Sequence, residues 1–244
     1  MACDPEIGYE PGDGAEAPGW NWLAMDGSFP GSFGCVYGVV LNDQAALDAW
    51  GDQLNAAPYK APPRAPVLYI KPRNTVVASG MLVRRPAGSE VVRIGGALGV
   101  VFGATACRVP ADQALDCVRG FAPVADLSLP VESLHRPPIR ETCFDGACPI
   151  GAEVPKARLA DLETVRIVVS VNGAKMQQVS LEGLLRPLGR LIADVSDFMT
   201  LYPGDVLLVG AAHDAPLARA GNAFSVEISG LSGALKASSA AWSA

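Results

Sequence analysis

The stretch Glu90–Val109, EVVRIGGALGVVFGATACRV, narrows the possible folds more than any other part of the chain. Gly95, Gly96, Gly99 and Gly103 interrupt an otherwise apolar run. Glycines so placed suit three architectures: a loop that cradles phosphate, a GxxxG seam between membrane helices, or a buried strand packed closely on a neighbour. A phosphate loop needs its glycines after a strand and at the opening of a helix. Here Leu98–Phe102 is strand-like and the extended character continues through Thr105–Val109, so the glycines precede the strand and no helix opens behind them. A spanning helix needs about 20 apolar residues. The longest compact apolar stretch at the glycines is Leu98–Ala104, with arginines on both sides. What is left is a Gly-rich entry to a buried strand.

The rest of the chain reads as short elements punctuated by Gly and Pro. CVYGVVLND is a strand running into a helix cap at Asn42, and Ala46, Leu47, Trp50 and Leu54 then recur at helical spacing. Pro62, Pro63 and Pro66 forbid helix in the connector YKAPPRAP. VLYIKP is a short strand ended by Pro72, and PADQALDCVRGFA reads as a short helix stopping near Gly120. VRIVVSVNGAKMQQ is a hairpin with a type I′ turn at Asn172-Gly173. Leu184, Leu188, Leu191, Ile192, Val195 and Phe198 share one helical face, with Pro187 early enough to be tolerated. YPGDVLLVG and AFSVEISGLSGAL add two more strands. Many short strands with few, scattered helices predict a β-rich α+β domain over residues 34–244.

Residues 1–33 differ from the rest. They carry six acids and no Lys or Arg among Gly and Pro, and read as a disordered acidic tail. The net charge of −6 therefore lies in the tail, leaving 19 of the 25 acids against 19 Lys and Arg. A neutral body offers no phosphate-binding footprint, so nucleic acid is not an expected partner; nor is a membrane. The N-terminus has acids where a secretory signal needs basic and apolar residues, and the expected location is the cytoplasm. The six cysteines fit that setting as reduced thiols, and Cys143-x4-Cys148 with His135 and His213 gives a zinc site little support. With 50% hydrophobic and 18% charged residues, the body can bury a sizeable core.

Taken in order, YKAPPRAPVLYIKPRNT, LGVVFGATACRV, DLSLPVESLHRPPIRETCFDGACPIG, VNG and DFMTLYPGDVLLVG resemble the fumarylacetoacetate hydrolase family. Within it they are most similar to the N-terminal subunit or repeat of the bifunctional isomerase/decarboxylases that degrade 4-hydroxyphenylacetate through homoprotocatechuate. The resemblance runs from about Cys35 to Leu235. It implies a mixed β-roll, barrel-like, around a divalent ion, magnesium or manganese. It also implies a small dicarboxylate or tricarboxylate keto-acid substrate: 5-oxopent-3-ene-1,2,5-tricarboxylate, or the 2-hydroxyhepta-2,4-dienedioate it yields. The expected assembly is a homodimer, or a heterodimer with a C-terminal-type sister subunit.

Such a site needs several oxygen ligands and open positions for a chelating substrate. The family takes them from a Glu-x-Glu pair just before the strand and from an Asp further on. Aligned on LGVVFG, the pair falls on Gly95 and Ala97, neither of which can bind a metal. The third ligand is kept as Asp126. The family's arginine after that Asp falls on Pro130, its site lysine falls on Thr142, and its substrate loop reads Val209-Gly210-Ala211-Ala212.

The resemblance makes Lys71 and Asp145 candidate catalytic groups, Arg73 and Arg140 candidates for substrate binding, and Asp126 the candidate metal ligand; His135 joins the catalytic candidates as a general base suited to neutral pH. Each also has a plainer reading. Lys71 can be a strand-end lysine with a buried stem, Asp145-Gly146 a turn, and His135 a structural histidine. Glu90 and Glu132 read as surface acids, and Ser128 and Ser133 lack a triad pattern. Three functions follow: a subunit of the isomerase/decarboxylase, a non-catalytic paralogue that stabilises a catalytic sister, or an acylpyruvate-type hydrolase.

Overall fold

A computed structural model describes residues 33–130, 138–159, 161–210, 214–229, 231 and 235–240. The elements in chain order are β1 (Val36–Val40), α1 (Gln44–Trp50), β2 (Val67–Lys71), β3 (Val76–Ala78), β4 (Leu82–Arg84), β5 (Val91–Phe102) and β6 (Val118–Ser128). There follow α2 (Ile139–Thr142), β7 (Cys148–Ile150), β8 (Val154–Pro155), β9 (Arg166–Val171), β10 (Ala174–Ser180) and α3 (Leu188–Phe198). The chain closes with β11 (Val206–Val209), β12 (Leu217–Arg219), β13 (Ala223–Ile228) and β14 (Leu235–Ala240).

Two sheets carry the fold. The larger has nine strands, runs β2-β1-β11-β5-β6-β7-β3 along its main path, with β12 and β8 attached to β5 and β6, and curls into a half-barrel. The smaller runs β10-β9-β13-β14-β4. Long strands alternate their side chains between the two faces. On β5, Ile94, Leu98, Val100 and Phe102 join the main core, which continues into Ile167 and Val169 of β9 and Val226 of β13. Ala97 and Val101 point the other way, into a second core inside the curl with Val36, Val124, Cys148 and Val206. Phe33 packs against this inner core.

Gly95, Gly96 and Gly99 lie within β5, not ahead of it, and Gly103 follows its last residue, Phe102. That 12-residue strand spans Gly95, Gly96 and Gly99, and pairs antiparallel with β6 from Arg93↔Ser128 through Val101↔Gly120. Close approach explains two of them. A Cβ at Gly96 would stand 2.6 Å from Val169 and 2.9 Å from Ile167, and one at Gly99 would stand 2.8 Å from Val124. Both faces of β5 are therefore packed too tightly at these points for a side chain. Beyond Gly103 the chain leaves the sheet; only Ala106, bridged to Leu201, keeps an extended contact between Thr105 and Val109.

Three other local expectations shift. The helical reading of PADQALDCVRGFA is overturned: only Ala114–Cys117 is helical, as a 3-10 turn, and β6 begins at Val118 and runs through Gly120. Pairing along the length of β5 outweighs the weak helical spacing of Ala114, Leu115 and Val118. The α1 cap is Asp43, whose carboxylate accepts from the Ala46 amide, while Asn42 instead bonds both ways to the Arg186 backbone at 3.1 Å. α3 starts at Leu188 with Pro187 as its N-cap; Leu188, Leu191, Ile192 and Val195 are buried, whereas Phe198 is exposed and Leu184 precedes the helix. The Asn172-Gly173 hairpin stands as read, with φ of 49° and 80° at the two turn residues, as a type I′ turn requires.

Candidate functional site

Gly95 of β5 is the direct cross-strand partner of Asp126 of β6, and Ala97 is the partner of Val124. Residues two apart on a strand share a face, and directly opposed partners do too. Positions 95, 97 and 126 thus converge inside the curl, as three carboxylates around one ion would have to. Only Asp126 offers a donor. Ala97 is fully buried among the apolar side chains of the inner core. Among the described residues, no group of three or more His, Cys, Asp or Glu side chains could hold a metal ion.

Asp126 is also already engaged. Its Oδ1 lies 2.7 Å from Lys71 Nζ, with the lysine side chain wholly buried and that of the aspartate 14% exposed. Its Oδ2 accepts a hydrogen bond from the Tyr69 hydroxyl. Lys71 Nζ itself donates to the carbonyls of Leu127 at 2.7 Å, Thr142 at 2.8 Å and Ala147 at 3.4 Å. Asp126 Oδ1 stands beside these three carbonyl oxygens as the counterion.

The sequence supplies this arrangement through β2. Tyr69 and Lys71 are two apart and share the face turned into the curl, opposite Gly38 and Val36 of β1. Gly38 is required here, since a Cβ would run into the Tyr69 ring. Pro72 ends the strand, and the turn Arg73–Thr75 leads directly into β3, at the far edge of the same sheet. Lys71 therefore reaches from one edge strand to β6, to the end of α2 and to the loop ahead of β7.

Electrostatics follow from burial. Burial, followed by the adjacent Asp126 charge, holds the half-buried Tyr69 hydroxyl well above the usual phenol range. The Cys148 thiol, fully buried in the same core, is pushed up to about 12, mainly by burial; Lys71 lowers it and Asp126 raises it. Both groups stay neutral, so Lys71 and Asp126 are the charged pair of this interior. A divalent ion on Asp126 would sit about 4 Å from the ammonium, at a repulsion of roughly 4 kcal/mol per unit of charge for an effective dielectric near 20. Among the described residues, the groups around Asp126 do not fit a divalent ion.

The remaining candidates spread out. Asp145 Oδ1 accepts from Asn74 Nδ2 at 2.8 Å, and the Gly146 amide donates to Asn74 O at 3.0 Å, so Asp145 sits in a turn braced against the Arg73–Thr75 segment. Arg73 is exposed. Arg140 is exposed on α2 and donates to Ala87 O at 3.3 Å. Glu90 is exposed, 3.7 Å from Arg219. His135, Glu132, Ser133 and His213 lie outside the described residues. Cys35, Cys107, Cys117, Cys143 and Cys148 are free thiols. An apolar hollow of about 200 Å³, lined by Leu98, Leu115, Leu162, Leu181, Leu188 and Val209 among others, opens on the other face of β5 from Ala97. None of its lining residues is a cation. No helix among the described residues is long and apolar enough to cross a membrane.

The Lys71–Asp126 pair is what sequence reading missed. Its signal was present: with the glutamates gone, Asp126 is a lone acid in an apolar strand, and Lys71 is the one cation embedded in β2.

Comparison with known proteins agrees with this architecture. The chain is 35% identical over 198 residues to the 4-hydroxyphenylacetate degradation bifunctional isomerase/decarboxylase of Salmonella dublin, covering 81% of this chain and 45% of that protein. To the protein of the same name from Escherichia coli it is 38% identical over 177 residues, covering 72% and 40%. The chain thus spans less than half the length of these curated relatives. Among solved structures, 5-carboxymethyl-2-hydroxymuconate delta-isomerase from Mycobacterium smegmatis superposes with a TM-score of 0.73 at 26% identity, over 87% of this chain and 80% of that one. Fumarylpyruvate hydrolase from Pseudomonas aeruginosa, solved with Mn²⁺ and pyruvate, gives 0.73 at 23% identity, over 86% and 90%, and shares the fold. Residues 35–237 match the family described as fumarylacetoacetate (FAA) hydrolase, C-terminal, and the chain belongs to that family.

Proposed function

We propose that this chain is one half of an isomerase/decarboxylase of 4-hydroxyphenylacetate catabolism, and that it is the half without the divalent ion. The observation that carries this reading is the state of the three converging positions: Gly95 and Ala97 offer no donor, and the Asp126 carboxylate is shared between Lys71 and Tyr69. Enolate chemistry on a keto acid needs a fixed positive centre that the substrate oxygens can reach. The Lys71 ammonium is sealed from solvent and surrounded by protein oxygens. The chemistry then belongs to a complementary C-terminal-type half with its own carboxylates, paired with this one as a like or sister subunit. The substrate of the assembly is a keto acid such as 5-oxopent-3-ene-1,2,5-tricarboxylate or 2-hydroxyhepta-2,4-dienedioate. What this half contributes is a rigid, metal-independent roll against which the catalytic half assembles.

The test is to assay the purified chain for decarboxylation and isomerisation with magnesium and with manganese, alone and after co-expression with a C-terminal-type half. The chain alone should be inactive with either ion, and the co-expressed pair active. Turnover by the isolated chain that depends on added metal would sink the proposal.

A further inference from the structure

We infer that Lys71 is the resident cation of this site: its ammonium neutralises Asp126, ties the curled sheet together, and occupies the place a divalent ion would need. This rests on the metal-free reading above, but the two can fail separately.

Asp126 holds the one oxygen donor left among three converging positions, and Nζ lies 2.7 Å from it. A hard cation in a protein gathers oxygens from segments remote in sequence. Nζ does this too, taking Leu127 O from β6, Thr142 O from the end of α2 and Ala147 O from the loop before β7. Together with Asp126 Oδ1 this makes four oxygens between 2.7 and 3.4 Å. Ala147 O also accepts from the Leu127 amide at 2.9 Å, and the lysine side chain is wholly buried.

The consequence is a cross-link. β2 is an edge of the nine-stranded sheet, and β7 and β3 lie at its other end. Lys71 joins the two, and Asn74 adds a second tie to the same region through Cys143 O at 2.9 Å and Asp145. A covalently attached cation cannot be chelated or exchanged. The roll should therefore hold its shape whatever the divalent ion supply, and Gly95 and Ala97 can lack carboxylates because no ion remains to be bound.

Thermal melts of the whole chain test this. Wild type should melt at the same temperature with EDTA, with millimolar MnCl₂, or with neither. Lys71→Met, which keeps most of the volume and loses the charge, should lower Tm by roughly 6–15 °C. Lys71→Ala should fall at least as far and recover saturably with n-propylammonium, which matches the three carbons and the ammonium that the substitution removes; the amine should do nothing for Asp126→Ala. If Lys71→Ala does not fold unaided, its refolding yield with and without the amine replaces the melt. Lys71→Met as stable as wild type, or amine rescue no greater than in Asp126→Ala, would overturn the role given to Lys71 and leave the metal-free reading standing. Stoichiometric Mn²⁺ binding by wild type would overturn the metal-free reading itself.

Discussion

Gly95 on β5 and Asp126 on β6 face each other directly across an antiparallel strand pair. Side chains at such positions stand about 5 Å apart, so the fold still brings together the places where a metal's carboxylates would converge. What differs is the chemistry at those places. A glycine, an alanine and a lysine-bound aspartate share the interior of the roll.

Lys71 and Asp126 should be strongly coupled. Removing one member of a buried pair leaves the other charge uncompensated, so Lys71→Met should cost about 3 kcal/mol in urea unfolding, toward the lower end for such pairs because Asp126 is 14% exposed. Adding Asp126→Asn should restore at least about 1 kcal/mol, since the orphaned charge is then gone. Strictly additive losses would show that the pair does not interact.

Gly96 is held by packing between the sheets. Gly96→Val should destabilise by about 2–3 kcal/mol through overpacking, because even its Cβ would be 2.6 Å from Val169 and 2.9 Å from Ile167. Gly173→Ala offers the contrast: its cost should be near 1 kcal/mol, from φ of 80° alone, with nothing within 4 Å of the added methyl. Denaturant midpoints rank the two, and equal losses would contradict the packing account.

Alkaline pH should weaken the fold through Cys148 and Tyr69. Both are acids that burial holds protonated, with folded pKa values above the usual 9.0 and 10.0. A raised folded pKa means the contribution is complete below the unfolded value and is lost as pH climbs. For Cys148 the window opens near 9 and closes near about 12. Each group adds a slope of about −1.4 kcal/mol per pH unit inside its window. Urea unfolding between pH 8 and 10.5 should show a shallower decline in Cys148→Ala than in wild type, and identical slopes would count against a buried neutral thiol.

Much of this fold was legible, and the failures have physical causes. The hairpin at Asn172-Gly173 was readable because a type I′ turn needs two positive φ values that Asn and Gly adopt cheaply. β6 was not, because Ala114, Leu115 and Val118 mimic helical spacing and only the long partner strand β5 reveals that Val118–Ser128 is extended. The glycines of β5 are recognisable as structural from the sequence, yet the packing that demands Gly96 comes from Ile167 and Val169, some seventy residues further along the chain. At the site, the vacancy at positions 95 and 97 followed from aligning LGVVFG. The counterion of Asp126 did not, since no spacing rule joins residues 71 and 126; the curl of the sheet does.

The most direct test of the whole account is Mn²⁺ binding to the purified full chain by isothermal titration, with metal content measured before and after dialysis. The account predicts no stoichiometric binding and no retained metal, in wild type and in Asp126→Ala alike. A one-to-one Mn²⁺ complex in wild type that disappears in Asp126→Ala would contradict it, and would mean that the aspartate releases Lys71 to take a metal.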